Sequence, residues 1–375
     1  MCRADPGPQR APGRLLELLQ KASRGLAADQ GVRPTMNIKP SRREMLGVML
    51  GSGVLLAQSP NPRRIDVHQH YVSPDYLALL AKKNSVSPVP GFAIWKDYSP
   101  AKNLDAMDKA GIATAMLSPT APGVYFGDAE EARKVAREMN EYAAAKMVGA
   151  YKGRFGLFAV LPIPDIEGSL REIEYAFDTL KADGVGLLTS YGTKYLGDAA
   201  FAPIFDELNR RKAVVYTHPL EGSCCQNPIQ GVTPQTLEYP TDTTRTLMSL
   251  IVGGTATRCP NLKFIFSHAG GTLTSIAGRF LGNLDPETLA RPAEVNSRLY
   301  HVKRFYYDTA GAANAIQLQT LKMLVGTSQI VYGTDFPFVN APATSVGVDL
   351  SGFSAEELRS INRENALKFL PRLAA

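Results

Sequence analysis

The sequence predicts an α/β protein built as a (β/α)8 barrel, the TIM-barrel architecture, and three observations carry that expectation. Between residues 64 and 370, short runs of β-branched and aromatic residues alternate with amphipathic stretches of helical period, which is the pattern of βα units around a parallel sheet. Eight such runs can be counted, the number that closes a barrel. Four of the five histidines fall at the C-terminal ends of these runs, the face on which barrels of this kind carry their chemistry.

In chain order the strands are expected near residues 65–67, 113–117, 155–160, 185–188, 213–216, 263–266, 305–307 and 330–332. Helices are expected over 129–148, 167–180, 201–211, 242–253, 312–324 and 354–370. The last opens with Ser354-Ala355-Glu356-Glu357, a serine N-cap with an acid three positions on. Two connections exceed the usual length: 71–100 after the first strand, with Phe92, Trp95 and Tyr98, and 219–240 after the fifth. Both leave strand C-terminal ends, so Trp95 and its aromatic neighbours are expected either to bind substrate or to pack the loop down. No internal repeat beyond the βα unit and no linker divides residues 63–375, which read as one domain.

With 375 residues and 45% apolar side chains, the chain can bury a core of barrel size. The formal net charge is +6, yet residues 1–64 hold eleven Lys/Arg against four Asp/Glu, which leaves −1 for the remainder. A basic excess confined to one terminal segment does not make a nucleic-acid-binding face, so that class is set aside. Cys2, Cys224, Cys225 and Cys259 show no CxxC spacing, which excludes a disulfide framework and a zinc knuckle. Cys224 and Cys225 are expected to be reduced thiols, the alternative being a vicinal bridge in an oxidising compartment.

Ser41-Arg42-Arg43 followed by the mostly apolar run 47–57 is too short to span a bilayer and resembles a twin-arginine signal. Residues 36–60 are therefore expected to direct export to the periplasm, with no stable membrane span after removal and a cytoplasmic location as the alternative. Met36 reads as a more conventional start than Met1, so residues 1–35 are expected to be an extension outside the native protein.

His68 and His70 close the first strand in Asp66-Val67-His68-Gln69-His70, and residues i and i+2 of a strand point to one side, so both imidazoles can face one ion. His218 follows the fifth strand and His268 the sixth. Asp335 lies just past the eighth strand, which closes the barrel beside the first, and can face the same ion. A structural histidine or a helix-capping aspartate explains any of these singly, but not the group. Two or three imidazoles and a carboxylate with an open position make a catalytic metal site, suited to Zn2+ and compatible with Mn2+ or Fe2+. His301 fits no motif and is expected to be structural or exposed.

From residue 64 to 370 the chain resembles the amidohydrolase superfamily, a metal-dependent hydrolase fold, in the branch that includes aminocarboxymuconate semialdehyde decarboxylase and γ-resorcylate decarboxylase. The carriers are the His68/His70 pair, the stretch from Leu104 to Ile112, Gly153-Arg154-Phe155, Leu161-Pro162, His218-Pro219 and Pro260-Asn261-Leu262-Lys263. To these are added His268-Ala269-Gly270-Gly271 with Arg279, Gly333-Thr334-Asp335-Phe336-Pro337-Phe338 and Asn365-Ala366. The resemblance implies one metal held by His68, His70, His218 and Asp335, with His268 as acid/base, Arg279 binding a substrate carboxylate, and a homodimer. The fourth strand ends without the lysine that dinuclear relatives carbamylate, in keeping with a single ion. The semialdehyde decarboxylases also use an early arginine where only Lys96 and Lys102 stand here, which points away from their particular substrate.

Two enzymatic functions fit. The first is non-oxidative decarboxylation of a small unsaturated or aromatic carboxylate, with Asp335 or His268 protonating the carbon that loses CO2. The second is hydrolysis of a lactone, ester or amide by metal-activated water, with the same two side chains moving protons. A non-catalytic metal or ligand binder is the third reading, and the presence of every proton-moving position argues against it.

Overall fold

The computed structural model describes residues 61–226 and 228–374, so the twin-arginine segment and the Met36 start lie outside the described residues. Eight parallel strands follow one another in chain order around the sheet: β1 (Arg64–His70), β2 (Ile112–Ser118), β3 (Phe155–Val160), β4 (Gly184–Leu188), β5 (Val214–His218), β6 (Lys263–Phe266), β7 (Tyr306–Asp308) and β8 (Ile330–Val331). Each lies within two or three residues of its expected place. Their side chains are buried almost throughout, the pattern of a sheet covered on both faces.

The turn after β8 closes the sheet onto β1. The Val67 N–H donates to the Tyr332 carbonyl at 2.9 Å, the Asp335 N–H to the His68 carbonyl at 2.8 Å, and the His70 N–H to the Phe336 carbonyl at 2.9 Å. Ile65, Val67, Met116, Phe158, Tyr216, Ile265, Tyr306 and Val331 fill the barrel interior, where Phe158 stacks on Tyr216 at 5.7 Å. A second, larger apolar layer lies between the sheet and the surrounding helices.

The helices obey local chemistry. Asp128 caps Ala129–Tyr142, whose Ala132, Val135, Ala136 and Met139 recur at the spacing of one buried face. Ser354 and Glu357 form the expected capping box. The helix beyond them is not continuous, however: it widens to a π-turn over Ser360–Glu364 before Asn365–Leu367. Within that wide turn the Ile361 carbonyl accepts from the Tyr332 N–H at 3.0 Å, so the irregular backbone bonds to the end of β8.

Three expectations are corrected. The connection 71–100 contains helices Pro74–Asn84, Phe92–Asp97 and the start of Pro100–Lys109; the first and third are capped by Ser73 and Ser99 with proline in the first turn. The helix expected from residue 242 begins earlier, as Glu238–Val252, because Pro240 sits in its first turn, where an N–H has no helical partner. Cys224 and Cys225 are paired as a vicinal disulfide rather than standing as two thiols. Among the described residues no helix is long and apolar enough to cross a membrane.

Candidate active site and metal centre

Strands β1, β5 and β6 and the turn after β8 each deliver one part of the site to the same end of the barrel. The ring nitrogens of His68, His70 and His218 and a carboxylate oxygen of Asp335 all lie within 4.8 Å of one another. His68 Nε2 stands 3.1 Å from His70 Nε2, and Asp335 Oδ1 stands 3.3, 3.1 and 4.0 Å from Nε2 of His68, His70 and His218. His268 approaches the other carboxylate oxygen, with Nε2 3.4 Å from Asp335 Oδ2.

The partners on the far side of each ring fix what the near side offers. His70 Nδ1 lies 3.2 Å from the Ser118 carbonyl, His218 Nδ1 lies 2.9 Å from the Pro219 carbonyl, and His68 Nδ1 lies 2.9 Å from Asp308 Oδ2. A carbonyl or carboxylate can only accept, so we assign each Nδ1 as the donor, which leaves Nε2 of a neutral ring as a lone pair. Three lone pairs and a carboxylate oxygen then converge on one point. His218 Nε2 and Asp335 Oδ1 are buried with no hydrogen-bond partner. Such a set repels itself unless a cation sits among the atoms, so the residues fit a divalent metal, and the acceptors behind the rings are those that orient metal-bound histidines.

Electrostatics agree. Burial, with the neighbouring imidazoles, lowers His70 and drives His218 well below the ordinary histidine value, so both rings are neutral. Burial opposes charge on His68 too, but the Asp308 and Asp335 carboxylates outweigh it and push the ring up to about 10. A proton there occupies the position that a metal ion would take. Burial works against the charge of Asp335, yet the charge of His68 and the close approach of the His268, His68 and His70 rings to its oxygens hold its carboxyl well below the usual range.

The backbone is bent to make this meeting possible. His268, Ala269 and Asp335 adopt left-handed conformations, with φ of 55°, 57° and 68°, and non-glycine residues held this way concentrate at functional sites. Gly333 lets the turn pass, since a Cβ there would lie 2.9 Å from the Cβ atoms of both His68 and Asp308. Asp66, fully buried, accepts from the N–H groups of His68 and Thr334, the Thr334 hydroxyl and the Gln69 amide, and so ties β1 to the Asp335 turn. Burial pushes its carboxyl up to about 6 in spite of those four bonds.

Above the cluster opens a cavity of about 420 Å³. His218, His268 and Asp335 form its floor, Thr120 and Tyr239 stand beside them, Ile94, Ala121, Phe338 and Val339 give apolar wall, and Gln235 and Gln317 contribute amides. Its size and its few convergent polar groups suit a small organic molecule.

Comparison with known proteins places this architecture. Residues 65–372 match the model of the amidohydrolase family. The chain belongs to that family. Decarboxylase yanB of Aspergillus niger is 38% identical over 332 residues, 82% of this chain and 88% of the relative. The 6-methylsalicylic acid decarboxylase of Penicillium expansum is 35% identical, covering 83% of this chain and 97% of the relative. The crystal structure of dihydroxybenzoic acid decarboxylase from a Polaromonas species, with bound manganese and the inhibitor 2-nitroresorcinol, superposes with a TM-score of 0.71 at 22% identity, covering 83% of this chain and 98% of that one.

In this amidohydrolase the four expected ligands and His268 come together, but the two expected substrate contacts do not. Arg279 is exposed on the helix Leu273–Leu281 and does not line the cavity, because Leu273 and Ala277, four apart, take the buried face and Arg279 follows two positions later. Trp95 is 1% exposed and likewise does not line the cavity. Its ring packs edge-on against Phe338 at 5.0 Å, and Phe338 in turn lines the cavity 5.8 Å from the His70 ring. Trp95 therefore supports a wall. His301 is buried, shares a hydrogen bond with the Thr257 hydroxyl at 3.0 Å and stacks on Phe305, as a structural residue does.

Sequence reasoning missed Asp308. One of its oxygens faces His68 Nδ1; the other accepts the N–H of His268 at 2.9 Å and of Ala310 at 3.0 Å. A single carboxylate thus ties the His68 ring and the His268 backbone together. The available signal was an acid ending the seventh strand, in Tyr306-Tyr307-Asp308.

Proposed function

We propose that this amidohydrolase is a metal-dependent decarboxylase that removes CO2 without oxidation from a small hydroxyaryl carboxylate. The observation that carries the reading is the convergence of three imidazole lone pairs and Asp335 beneath His268 on the floor of a small cavity. The names of its relatives, decarboxylases of aromatic acids, support it.

A divalent cation held by His68, His70, His218 and Asp335 supplies Lewis acidity toward the substrate oxygens. Zn2+ suits three nitrogens and one oxygen, and the manganese in the Polaromonas neighbour makes Mn2+ a second candidate. The chain's own residues move the proton. His268 and the Asp335 oxygen 3.4 Å from it deliver one proton to the ring carbon that bears the carboxylate. The carbon–carbon bond then breaks, its electron pair restores the aromatic ring, and CO2 leaves. One proton is consumed and no oxidant is needed.

Hydrolysis of a lactone, ester or amide would draw on the same side chains, and the products separate the two. Incubating metal-loaded protein with hydroxybenzoates and with aryl lactones should release CO2 from the former; acid and alcohol from the latter, with no CO2 from any hydroxybenzoate, would replace the decarboxylase reading. We also infer export through the twin-arginine segment around Arg42 and Arg43. Recovery of the protein only from the cytoplasmic fraction of its native cells would refute that.

A further inference from the structure

The charge inventory of the cavity is unusual for a site that takes an acid. Among the described residues lining it there is neither lysine nor arginine; the ionisable side chains are His218, His268, Asp335 and Tyr239. Two of these belong to the proposed cation site, one is the acid/base, and the fourth is a phenol. Tyr239 stands in the first turn of Glu238–Val252 with its ring 6.4 Å from that of His218. Its phenol hydroxyl can donate one hydrogen bond but carries no positive charge. Away from the cation site the lining carries no charge: Ile94, Ala121, Phe338 and Val339 present hydrocarbon, and Gln235 and Gln317 add two neutral amides.

A carboxylate buried without a cation or several donors is heavily penalised, and apolar walls cannot supply either. One such group can be met, at the cation site with Tyr239 and His268 beside it. A second would meet no cation, only hydrocarbon and the neutral amides of Gln235 and Gln317. We propose that the cavity selects monoanionic arenecarboxylates: the single carboxylate sits at the cation site, and every substituent that meets Ile94, Ala121, Phe338 and Val339 is uncharged. The orientation of the carboxylate rests on the decarboxylase reading; the exclusion of a second charge rests on the wall.

Isothermal titration calorimetry of the full chain loaded with Mn2+ tests this without relying on turnover. The ligands are 2-hydroxy-6-methylbenzoate and 3-hydroxyphthalate, which carries a carboxylate in place of the methyl. The dicarboxylate should bind roughly 100-fold more weakly. Ile94 is 37% exposed at the cavity edge, so Ile94→Arg can place a guanidinium there without disturbing the core, and should narrow the gap about 10-fold. Ile94→Gln, similar in length and neutral, should leave the gap open. Comparable affinity of the native protein for both ligands, or equal narrowing by Ile94→Gln, would overturn the proposal. A preference for the monoacid with no CO2 released from it would uphold charge selection while defeating the decarboxylase reading.

Discussion

Asp308 carries more of the site than any group outside the ligand set, because its two oxygens serve different functions. Replacing it by Asn keeps the shape but gives one face an N–H2 that cannot accept from His68 Nδ1 at 2.9 Å or from the His268 N–H at 2.9 Å. We expect Asp308→Asn to weaken metal binding about 10- to 100-fold, read by competition with a chromogenic chelator, since loss of such orienting partners has that effect. Unchanged affinity would mean that His68 is positioned by packing alone. His268 behaves differently. It touches Asp335 without belonging to the converging ligand atoms, so His268→Asn should lower kcat by about 10²- to 10⁴-fold while metal content stays that of the native protein. Loss of metal together with activity would instead make His268 a ligand.

At the scale of elements, the helix Ala202–Arg210 shows how surface charge contributes to the barrel wall. Glu207 accepts from Arg210 and Arg211, and those two guanidinium groups hold its carboxyl down to about 2. A carboxylate with a depressed folded-state value adds stability above its unfolded value of about 4.3 and loses it as pH falls toward 2. The pair is partly exposed, so the gain is about 1 kcal/mol or less. Thermal unfolding should accordingly find Glu207→Gln less stable than the native protein at pH 6, with the difference shrinking steadily as pH falls from about 4 toward 2. A constant difference across that range would show that the carboxylate charge contributes nothing.

Elements also decide what could be read from the sequence. All eight strands were legible because each carries a short run of β-branched, aromatic or other apolar residues, and the helix Ala129–Tyr142 because its inward residues recur at helical spacing. The helices inside 71–100 escaped because they are short, although Ser73-Pro74 and Ser99-Pro100 are helix-start signals. The convergence of the histidine–aspartate cluster was legible because His68 and His70 share a strand face and His218 and Asp335 follow strand ends. Asp308 was not, since its partners come from β1 and from the turn after β6, and only the closed barrel brings them within reach. Arg279 misled because a motif position does not fix which face of a helix a side chain occupies. Trp95 allows two readings from sequence, and its burial against Phe338 matches the one in which it packs the loop down.

For the whole molecule, closure of the barrel and assembly of the site are one event. The bonds that join the β8 turn to β1 run through His68, His70 and Asp335 themselves, and Asp66 reinforces them from beneath. A cation bound to the closed form and not to the unfolded chain stabilises it by mass action. The most direct test of the account is CO2 release from 2-hydroxy-6-methylbenzoate by protein stripped with a chelator and then titrated with Zn2+ or Mn2+. The account predicts no release from the stripped protein and recovery complete at one equivalent of cation per chain. Undiminished release by protein shown by elemental analysis to hold no metal would contradict it.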